Sequence, residues 1–496
     1  MSWRDAVVYQ IYPRSFQDSD GDGVGDLRGI EQRLEHLSYL GVDALWLSPI
    51  YPSPLADFGY DVSDYTDVDP RLGTLADYDS LVGAAHERGL AVLMDLVPCH
   101  TSIEHPWFRA HPDWYIWADS PPSGGTSRFP RTPSMGPLRG QAAAPPNNWV
   151  AAFGGPAWTL DEETGRWYLH SFYPEQPDLD WRNPAVVRAM QDVVRFWLER
   201  GTDGFRLDAI PALLKDPELR DDPPARTPFP LPLHPEHARL AHVYSANRPD
   251  VGEALAEIRR AAGDAVLIGE AYVPTADLPR YLTHVDLAFA FEFLHAPWEA
   301  GRLRVVIEDA AALAGVAWVL SNHDFPRVAT RFGEENARAA AVLLLTLPGA
   351  AFVYQGDELG LVDGPGADPP YDRAGRDGAR HPMHWDGTRH GGFTTGEPWL
   401  PAVDPADRNA ERQRDDPGSL LNLYRGLIAL RRRLRGALRF LPAPDGVLLY
   451  ERGRHVVAVN VTAARRPLAP AGRVVLATDP SDSPLAPNSA IVVERD

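Results

Sequence analysis

The sequence predicts an α/β fold, because short apolar runs alternate with segments of helical periodicity along most of the chain. Alternation of this kind is typical of parallel strands joined by helices. The chain has 496 residues, more than one ordinary compact domain needs. A barrel of such units takes about 250 residues or more, which leaves chain for additional parts. We therefore predict a (β/α)8 TIM barrel with an irregular inserted domain after strand three and a small C-terminal antiparallel β domain.

The apolar runs predict strands that are buried on both faces, because such strands are hydrophobic along their whole length. The predicted strands are Ala6–Tyr12, Ala44–Leu47, Ala91–Val97, Gly204–Leu207, Val266–Ile268, Trp318–Leu320 and Ala351–Tyr354. The segments between them have the apolar spacing of a helix with one buried face. The predicted helices are Leu27–Leu40, Leu75–Arg88, Pro184–Arg200, Val251–Ala262 and Arg302–Ala314.

Two regions depart from this alternation. Residues 100–172 are rich in Pro, Gly, Ser and Trp and have no clear period, and residues 121–148 within them predict an irregular loop or lid. After a helical segment at Leu420–Arg435, short alternating runs predict a small antiparallel sheet. The predicted division is a barrel from 1–99 and 173–435, an inserted domain from 100–172 and a C-terminal β domain from 436–496.

The composition limits the class of partner and the compartment. The formal net charge is −20, which disfavours nucleic acid and anionic membranes because both are polyanions. Cys99 is the only cysteine, so neither an intrachain disulfide nor a cysteine-based zinc site can form. The N-terminal segment lacks a basic region followed by a long apolar one, and no apolar run is long enough to span a bilayer. We expect a cytoplasmic monomer or homodimer; a processed mature form is the alternative.

Carboxylates follow three of the predicted strands. In a barrel of this type the chemistry lies at the C-terminal ends of the strands, where Asp208, Glu270 and Asp324 stand. Glycoside cleavage needs one ionised carboxylate and a second one with a raised pKa that protonates the leaving oxygen. Asp208 fits the first role, because Arg206 lies on the same side of its strand and would keep it ionised. Glu270 follows an apolar strand and fits the second; ordinary strand-end salt bridges are the alternative.

Several short blocks of the chain resemble the α-amylase family, glycoside hydrolase family 13, in its α-glucosidase and oligo-1,6-glucosidase branch. The blocks occur in the family's order, and the resemblance covers nearly the whole chain. They are DLVPCH (Asp95–His100), QPDLD (Gln176–Asp180), GFRLDAI (Gly204–Ile210), IGEAY (Ile268–Tyr272) and SNHD (Ser321–Asp324), with VYQIYPRSFQDSDGDGVGDLRGI, YDVSDY, YQGDELG and RDGARHPMHW.

The resemblance implies a retaining enzyme that forms a covalent glucosyl intermediate and needs no organic cofactor. Asp208 matches the nucleophile, Glu270 the general acid/base, and Asp324 the third acid that binds sugar hydroxyls. The other residues that the resemblance places around the glucose are Tyr60, His100, Phe172, Arg206 and His323. Asp57 and Arg380 resemble the pair that holds the non-reducing end. Such a pair implies exo-acting removal of one glucose at a time from a small oligosaccharide or α-glucoside.

An acidic loop near the N-terminus predicts a cation site. Carboxylates interleaved with glycines on a turning loop are hard oxygen ligands that suit Ca²⁺ or Mg²⁺, and a plain acidic turn is the alternative. The family resemblance adds a backbone carbonyl to the ligand set. The predicted ligands are Asp18, Asp20, Asp22, Asp26 and the carbonyl of Val24. We expect a structural role, because the proposed reaction needs no metal.

Two positions depart from the family pattern, and a third bears on linkage preference. Cys99 and Asp180 each stand where the family usually has Asn. The Asn that Cys99 replaces binds a second calcium in many amylases, so we expect no second calcium here and a small buried side chain instead. No consequence follows from Asp180. Ala209 follows the nucleophile, and in this branch Ala there accompanies a preference for α-1,4 linkages.

Three other functions are compatible with parts of these observations. A transglucosylase, or an enzyme that processes sucrose or trehalose, shares the same blocks, and loops such as 121–148 and 211–246 would set its acceptor. A non-enzymatic protein like the heavy chains of amino-acid transporters lacks the complete set of acids that this chain has. A carbohydrate-binding module does not account for the barrel-sized alternation.

Overall fold

The computed structural model describes residues 2–119, 145–226, 234–479 and 485–495. Most of the predicted loop 121–148 therefore lies outside the described residues. Eight parallel strands close into a barrel, which confirms the predicted fold class. The strands up to the barrel's last are β1 Val7–Ile11, β2 Ala44–Leu47, β3 Ala91–Leu96, β4 Trp117–Ala118, β5 Trp158–Asp161, β6 Arg166–Leu169, β7 Gly204–Leu207, β8 Val266–Gly269, β9 Leu287–Phe289, β10 Val316–Val319 and β11 Ala350–Tyr354.

The barrel contains all of these strands except β4, β5 and β6, in the order β1-β11-β10-β9-β8-β7-β3-β2. The register of the barrel strands determines which residues meet at their C-terminal ends. Asp95 of β3 lies opposite Arg206 of β7, and Leu207 of β7 lies opposite Gly269 of β8. Glu270 therefore follows its strand one residue beyond the level of Leu207. Strand β9 was not among the predicted strands.

Helices cover the outside of the barrel, and one short helix, α4 (Pro106–Ala110), lies in the insertion. Their bounds are α1 Leu27–Gln32, α2 Leu34–Leu40, α3 Leu75–Glu87, α4 Pro106–Ala110, α5 Pro184–Glu199, α6 Gly252–Ala262, α7 Leu278–Tyr281, α8 Phe291–His295, α9 Ala300–Ala311, α10 Val328–Phe332, α11 Ala337–Thr346, α12 Ala410–Asp415 and α13 Leu420–Arg431. Local chemistry fixes several ends: Thr74 and Asp77 form a capping box at α3, and Asn183 caps α5 ahead of Pro184. The predicted helix Leu27–Leu40 is two helices, because Arg33 leaves helical geometry between them.

The barrel interior is a packed core that supports the floor of the site. Trp46, Phe289 and Phe352 meet there, with ring centroids 4.7–6.1 Å apart. The Arg206 guanidinium lies above them, with its central carbon 5.4 Å from the Trp46 ring. An apolar floor under this cation keeps water away from the charges around it, which strengthens their interaction.

Two antiparallel sheets lie outside the barrel; the C-terminal one was predicted, whereas the insertion was predicted to be irregular. The insertion between β3 and β7 contains a three-stranded sheet of order β4-β6-β5. The C-terminal sheet has the order β12-β13-β14-β16-β15, with β12 Leu438–Phe440, β13 Val447–Arg452, β14 His455–Asn460, β15 Arg473–Ala477 and β16 Ala490–Glu494. It contacts the end of α11, where the hydroxyls of Thr346 and Tyr450 form a hydrogen bond. Among the residues that the structure describes, none of the helices has the length and hydrophobicity to cross a bilayer.

Candidate active site

A cavity of about 300 Å³ opens at the C-terminal ends of the barrel strands, between the barrel and the insertion. The predicted residues that line it are Asp57, Tyr60, His100, Phe172, Asp208, Glu270 and Asp324. Arg206, His323 and Arg380 are almost completely buried and are not among the lining residues. In this structure these three side chains contact residues that line the cavity, and their role in substrate binding stays a prediction.

One guanidinium holds three carboxylates together. Arg206 Nη1 donates to Asp95 Oδ1 at 2.6 Å and to Asp208 Oδ1 at 2.7 Å, and Nη2 lies 2.7 Å from Glu270 Oε1. The side chain of Arg206 is 3% exposed, so these are buried charge-assisted contacts. One positive charge cannot fully compensate three negative ones in such a site, so at least one carboxyl favours its protonated form.

The carboxyls differ in their affinity for that proton. Burial raises the pKa of Glu270 to about 8, although Arg206 opposes the rise. Burial likewise raises the pKa values of Asp208 and Asp95 to about 7 against the same guanidinium. Arg206 therefore lowers the pKa of Asp208 as expected, but it does not outweigh burial, which corrects the prediction that its charge alone keeps Asp208 ionised. Glu270 keeps its proton to the higher pH, as a general acid must.

Asp324 is held as an anion on the opposite wall. Burial raises its pKa, but His323, Arg376 and Arg380 outweigh burial and lower it well below the usual value. Arg376 Nη1 lies 2.9 Å from Asp324 Oδ1, and Arg380 Nη2 lies 3.3 Å from the same oxygen. Asp324 can therefore accept hydrogen bonds from sugar hydroxyls at any pH where the enzyme works.

A chain of hydrogen bonds connects this wall to the floor. Gln10 Nε2 lies 2.7 Å from His323 Nδ1, and His323 Nε2 lies 2.8 Å from the Tyr60 hydroxyl, which donates to Asp95 Oδ2 at 3.1 Å. Burial lowers the pKa of His323 to about 3, so the ring is neutral. Both ring nitrogens of His323 have partners within the protein in this structure, and a direct contact of His323 with the sugar stays a prediction.

The residue that pairs with Asp57 is Arg376, and the predicted partner Arg380 is wrong. Arg376 Nη2 lies 2.5 Å from Asp57 Oδ1, and Arg376 lines the cavity. Arg380 is 1% exposed, and its Nε donates to the carbonyl of His323 at 2.8 Å. Both arginines belong to one short 3-10 helix, Arg376–Arg380, and only the first turns its side chain to the cavity. Sequence reasoning missed Arg376 because the two stand four positions apart in one block.

His100 and Phe172 stand together on the side of the insertion, with ring centroids 5.2 Å apart. His100 Nε2 lies 3.1 Å from the carbonyl of Tyr60. The Nδ1 atom is buried and has no hydrogen-bond partner among the described residues. Burial lowers the pKa of His100, so the ring is neutral. Nε2 also lies 3.0 Å from Gln176 Nε2, and His100 stays a predicted hydrogen-bond partner of the sugar.

Lys215, the only lysine of the chain, joins the insertion to the barrel. Its ammonium lies 3.0 Å from Asp178 Oδ2, donates to Ser171 Oγ at 2.8 Å, and donates to the carbonyl of Ala212. Cys99 is buried beside it, and its sulfur lies 3.5 Å from the same carbonyl. The expectation of a small buried side chain at Cys99 is confirmed. Lys215 itself was missed, although its rarity in the composition was a signal.

The acidic loop gathers three of its predicted ligands. Carboxylate oxygens of Asp18, Asp20 and Asp22 lie within 4.8 Å of one another. A set of hard oxygen donors at this spacing fits Ca²⁺ or Mg²⁺. Asp26 lies outside this group: it caps α1, and its two oxygens accept from the amides of Ser19 and Gly29, each at 2.7 Å. Each oxygen keeps a lone pair, so Asp26 and the carbonyl of Val24 stay predicted ligands.

Comparison with known proteins shows the family of the chain. The family described as "Alpha amylase, catalytic domain" matches residues 10–438. The chain belongs to this family. It is 41% identical to a probable alpha-glucosidase of Rhizobium meliloti (strain 1021), over 91% of this chain and 87% of that protein. It is 36% identical to an oligo-1,6-glucosidase of Parageobacillus thermoglucosidasius, over 87% of this chain and 84% of that protein.

A solved structure carries the same fold along the whole chain. The alpha-glucosyl transfer enzyme XgtA superposes with a TM-score of 0.89 at 36% sequence identity, and the match covers 100% of this chain and 99% of that one. The chain is therefore similar over about nine tenths of its length to glucosidases and over its full length to a glucosyl transfer enzyme.

Proposed function

We propose that the protein is a retaining, exo-acting α-glucosidase that hydrolyses the non-reducing-end glucose of short α-glucosides, with α-1,4 linkages favoured. One observation carries the proposal: Asp208 and Glu270 contact the same buried guanidinium, and burial gives Glu270 the higher pKa. This order matches a pair in which one carboxylate attacks while the other still holds a proton. The names of the glucosidase relatives support the same activity.

In the first step the ionised Asp208 attacks the anomeric carbon, and Glu270 gives its proton to the glycosidic oxygen as that bond breaks. The leaving alcohol departs neutral, and a β-glucosyl ester remains on Asp208. In the second step the Glu270 carboxylate takes a proton from water, whose oxygen displaces Asp208. Glucose leaves with its original anomeric configuration, and both carboxyls regain their starting protonation states.

The Asp57–Arg376 pair supports the exo-acting mode. It forms part of the cavity wall, and Phe153 and Phe172 of the insertion also line the cavity. A charged pair of this kind can bind the hydroxyls of a terminal glucose, and an exo-acting mode requires that the pair closes the pocket to a further sugar. Asp324 and Arg376 would together orient the ring, because a sugar hydroxyl can donate to the first and accept from the second.

The test is turnover of maltose, isomaltose, sucrose and trehalose, measured separately with the products separated by chromatography. We expect glucose from maltose, a lower rate on isomaltose, and no product from Asp208→Asn. Asp79→Asn is the matched control, because this acid pairs with Arg200 on the surface and should keep full activity. No turnover of any of the four sugars by the unmodified protein would reject the proposal.

A second activity, glucosyl transfer, is favoured by the similarity to the glucosyl transfer enzyme XgtA. Another sugar or alcohol would replace water in the second step and accept the glucosyl group from Asp208. Oligosaccharides that replace free glucose as the main product, already at low maltose concentration, would assign the protein to the transferases.

We also propose that the loop at Asp18, Asp20 and Asp22 binds Ca²⁺ in a structural role. The loop lies against the segment of Thr394, whose hydroxyl donates to Asp18. A bound cation would neutralise the three carboxylates and fix the loop on that segment. Calorimetric titration of the metal-free protein with Ca²⁺ tests this, and absence of saturable binding would reject it.

A further inference from the structure

The turn that follows the nucleophile connects the strand of Asp208 to the strand of Glu270. The amide of Asp208 donates to the carbonyl of Leu96 at 2.9 Å, so the nucleophile is tied back to β3. The chain then turns toward β8. The amide of Ile210 donates to the backbone carbonyl of Glu270 at 3.1 Å, and the amide of Ala209 donates to the Glu270 carboxylate, at Oε2, at 2.9 Å.

This turn depends on an unusual backbone conformation. Ala209 has φ 47° and ψ 38°, in the left-handed region that residues other than glycine seldom occupy. Strain of this kind persists only where the surroundings hold it, and it occurs mainly at functional sites. A right-handed or extended residue 209 would point its N–H elsewhere, because the direction of the amide follows from these dihedrals.

We propose that Ala209 is a positioning residue, whose left-handed conformation aims its backbone amide at Glu270 and fixes the orientation of the acid/base carboxyl. The inference rests on the proposed function, because it assigns a role toward a group that acts as acid and base. Arg206 binds Oε1 and Ala209 binds Oε2, so the two carboxyl oxygens are held from two sides. The plane of the carboxyl is then fixed before a substrate arrives.

The amide also affects the proton that Glu270 carries. Burial raises the pKa of Glu270, and the Ala209 amide opposes it, because a donor bound to the carboxylate favours the charged form. Loss of this donor should therefore raise the pKa of Glu270 further and leave the carboxyl less well oriented. The rate of the glycosylation step should fall most for a substrate with a poor leaving group, because departure of such a group needs the acid. It should fall least for a substrate with a good leaving group.

The experiment replaces the amide at position 209 in the full-length protein by an ester, through incorporation of lactic acid in place of Ala209. This removes the N–H and keeps the methyl side chain. We expect kcat/KM for maltose to fall about ten-fold or more. The loss should be clearly smaller for 2,4-dinitrophenyl α-glucoside, and the alkaline limb of the pH profile should move up by about one unit.

Ala209→Gly is the matched variant, because it keeps the N–H and adopts the left-handed conformation without strain. The alkaline limb of its pH profile should lie at the same pH as that of the unmodified protein, whatever the substitution does to the rate. If the ester is unstable, Ala209→Val gives a second reading, because a β-branched residue resists this conformation and should shift the limb in the ester's direction.

An active ester variant with an unmoved alkaline limb and equal losses on both substrates would overturn the inference and leave the proposed function intact. Failure of the unmodified protein to cleave either substrate would instead refute the proposed function. Equal unfolding temperatures of the variants and the unmodified protein show that the rates compare folded enzymes.

Discussion

The pH dependence of glucoside hydrolysis follows from the order of the two pKa values in the site. Asp208 must lose its proton to attack, so activity rises as the pH passes about 7, and Glu270 must keep its proton, so activity falls as the pH passes about 8. About pH 7.5 lies half a unit from each value, so roughly 60% of the molecules hold the productive pair there. At about pH 5.5 or 9.5 that fraction is roughly 3%, a loss of about twenty-fold.

The assay is kcat/KM for maltose from about pH 5 to 10, which reports groups of the free enzyme. Glu270→Gln, assayed on 2,4-dinitrophenyl α-glucoside, is the control: its glycosylation step needs no acid, so the alkaline limb should disappear while the acid limb near pH 7 stays. An optimum below about pH 6 in the unmodified protein would refute the reasoning, because it would mean that Arg206 outweighs burial at both carboxyls.

Three further outcomes are expected. Arg376→Lys should lower kcat/KM for maltose about 10- to 100-fold, because one ammonium cannot bridge the carboxylates that the guanidinium holds, and an unchanged value would exclude the residue from binding. Asp20→Ala should abolish the rise in unfolding temperature caused by Ca²⁺, whereas Asp26→Ala should lower stability by about 1 kcal/mol already in the absence of Ca²⁺, since it caps a helix. Trp197→Phe should cost about 1–3 kcal/mol in urea unfolding, because the carbonyl of Tyr65 loses a buried donor, and a loss below about 0.5 kcal/mol would contradict this.

The fold was largely predictable because parallel barrel strands are buried on both faces and therefore stand out as apolar runs. Strand β9, Leu287–Phe289, was missed because its apolar residues continue into helix α8, Phe291–His295, and no turn residue marks the end of the strand. Helix α11, Ala337–Thr346, was missed because every residue in it but Arg338 is buried, so it has no polar face and no helical period. A prediction from hydrophobic periodicity requires that polar and apolar residues alternate along the element, and neither of these elements has such an alternation.

The site was predictable where one residue type stands alone at the end of a strand, as Asp208 and Glu270 do. It was not predictable where two equivalent side chains share one loop. Arg376 and Arg380 have the same chemistry, and only the local turn decides which of them meets Asp57. The pKa of Asp208 was misjudged for a related reason, because the number of carboxylates around Arg206 is a property of the barrel's register and not of the local sequence.

Two reactive side chains that each occur once in the chain lie at the contact between barrel and insertion, here called the seam. The opening of the seam can therefore be followed separately from global unfolding. The only lysine and the only cysteine of the chain, Lys215 and Cys99, both contact the carbonyl of Ala212 there. In the folded protein both side chains are buried, so an amine reagent does not reach Lys215 and a thiol reagent does not reach Cys99. Pulses of the two reagents, followed by mass spectrometry, would therefore time the parting of insertion and barrel, and a mass gain before global unfolding would mean that the seam opens first.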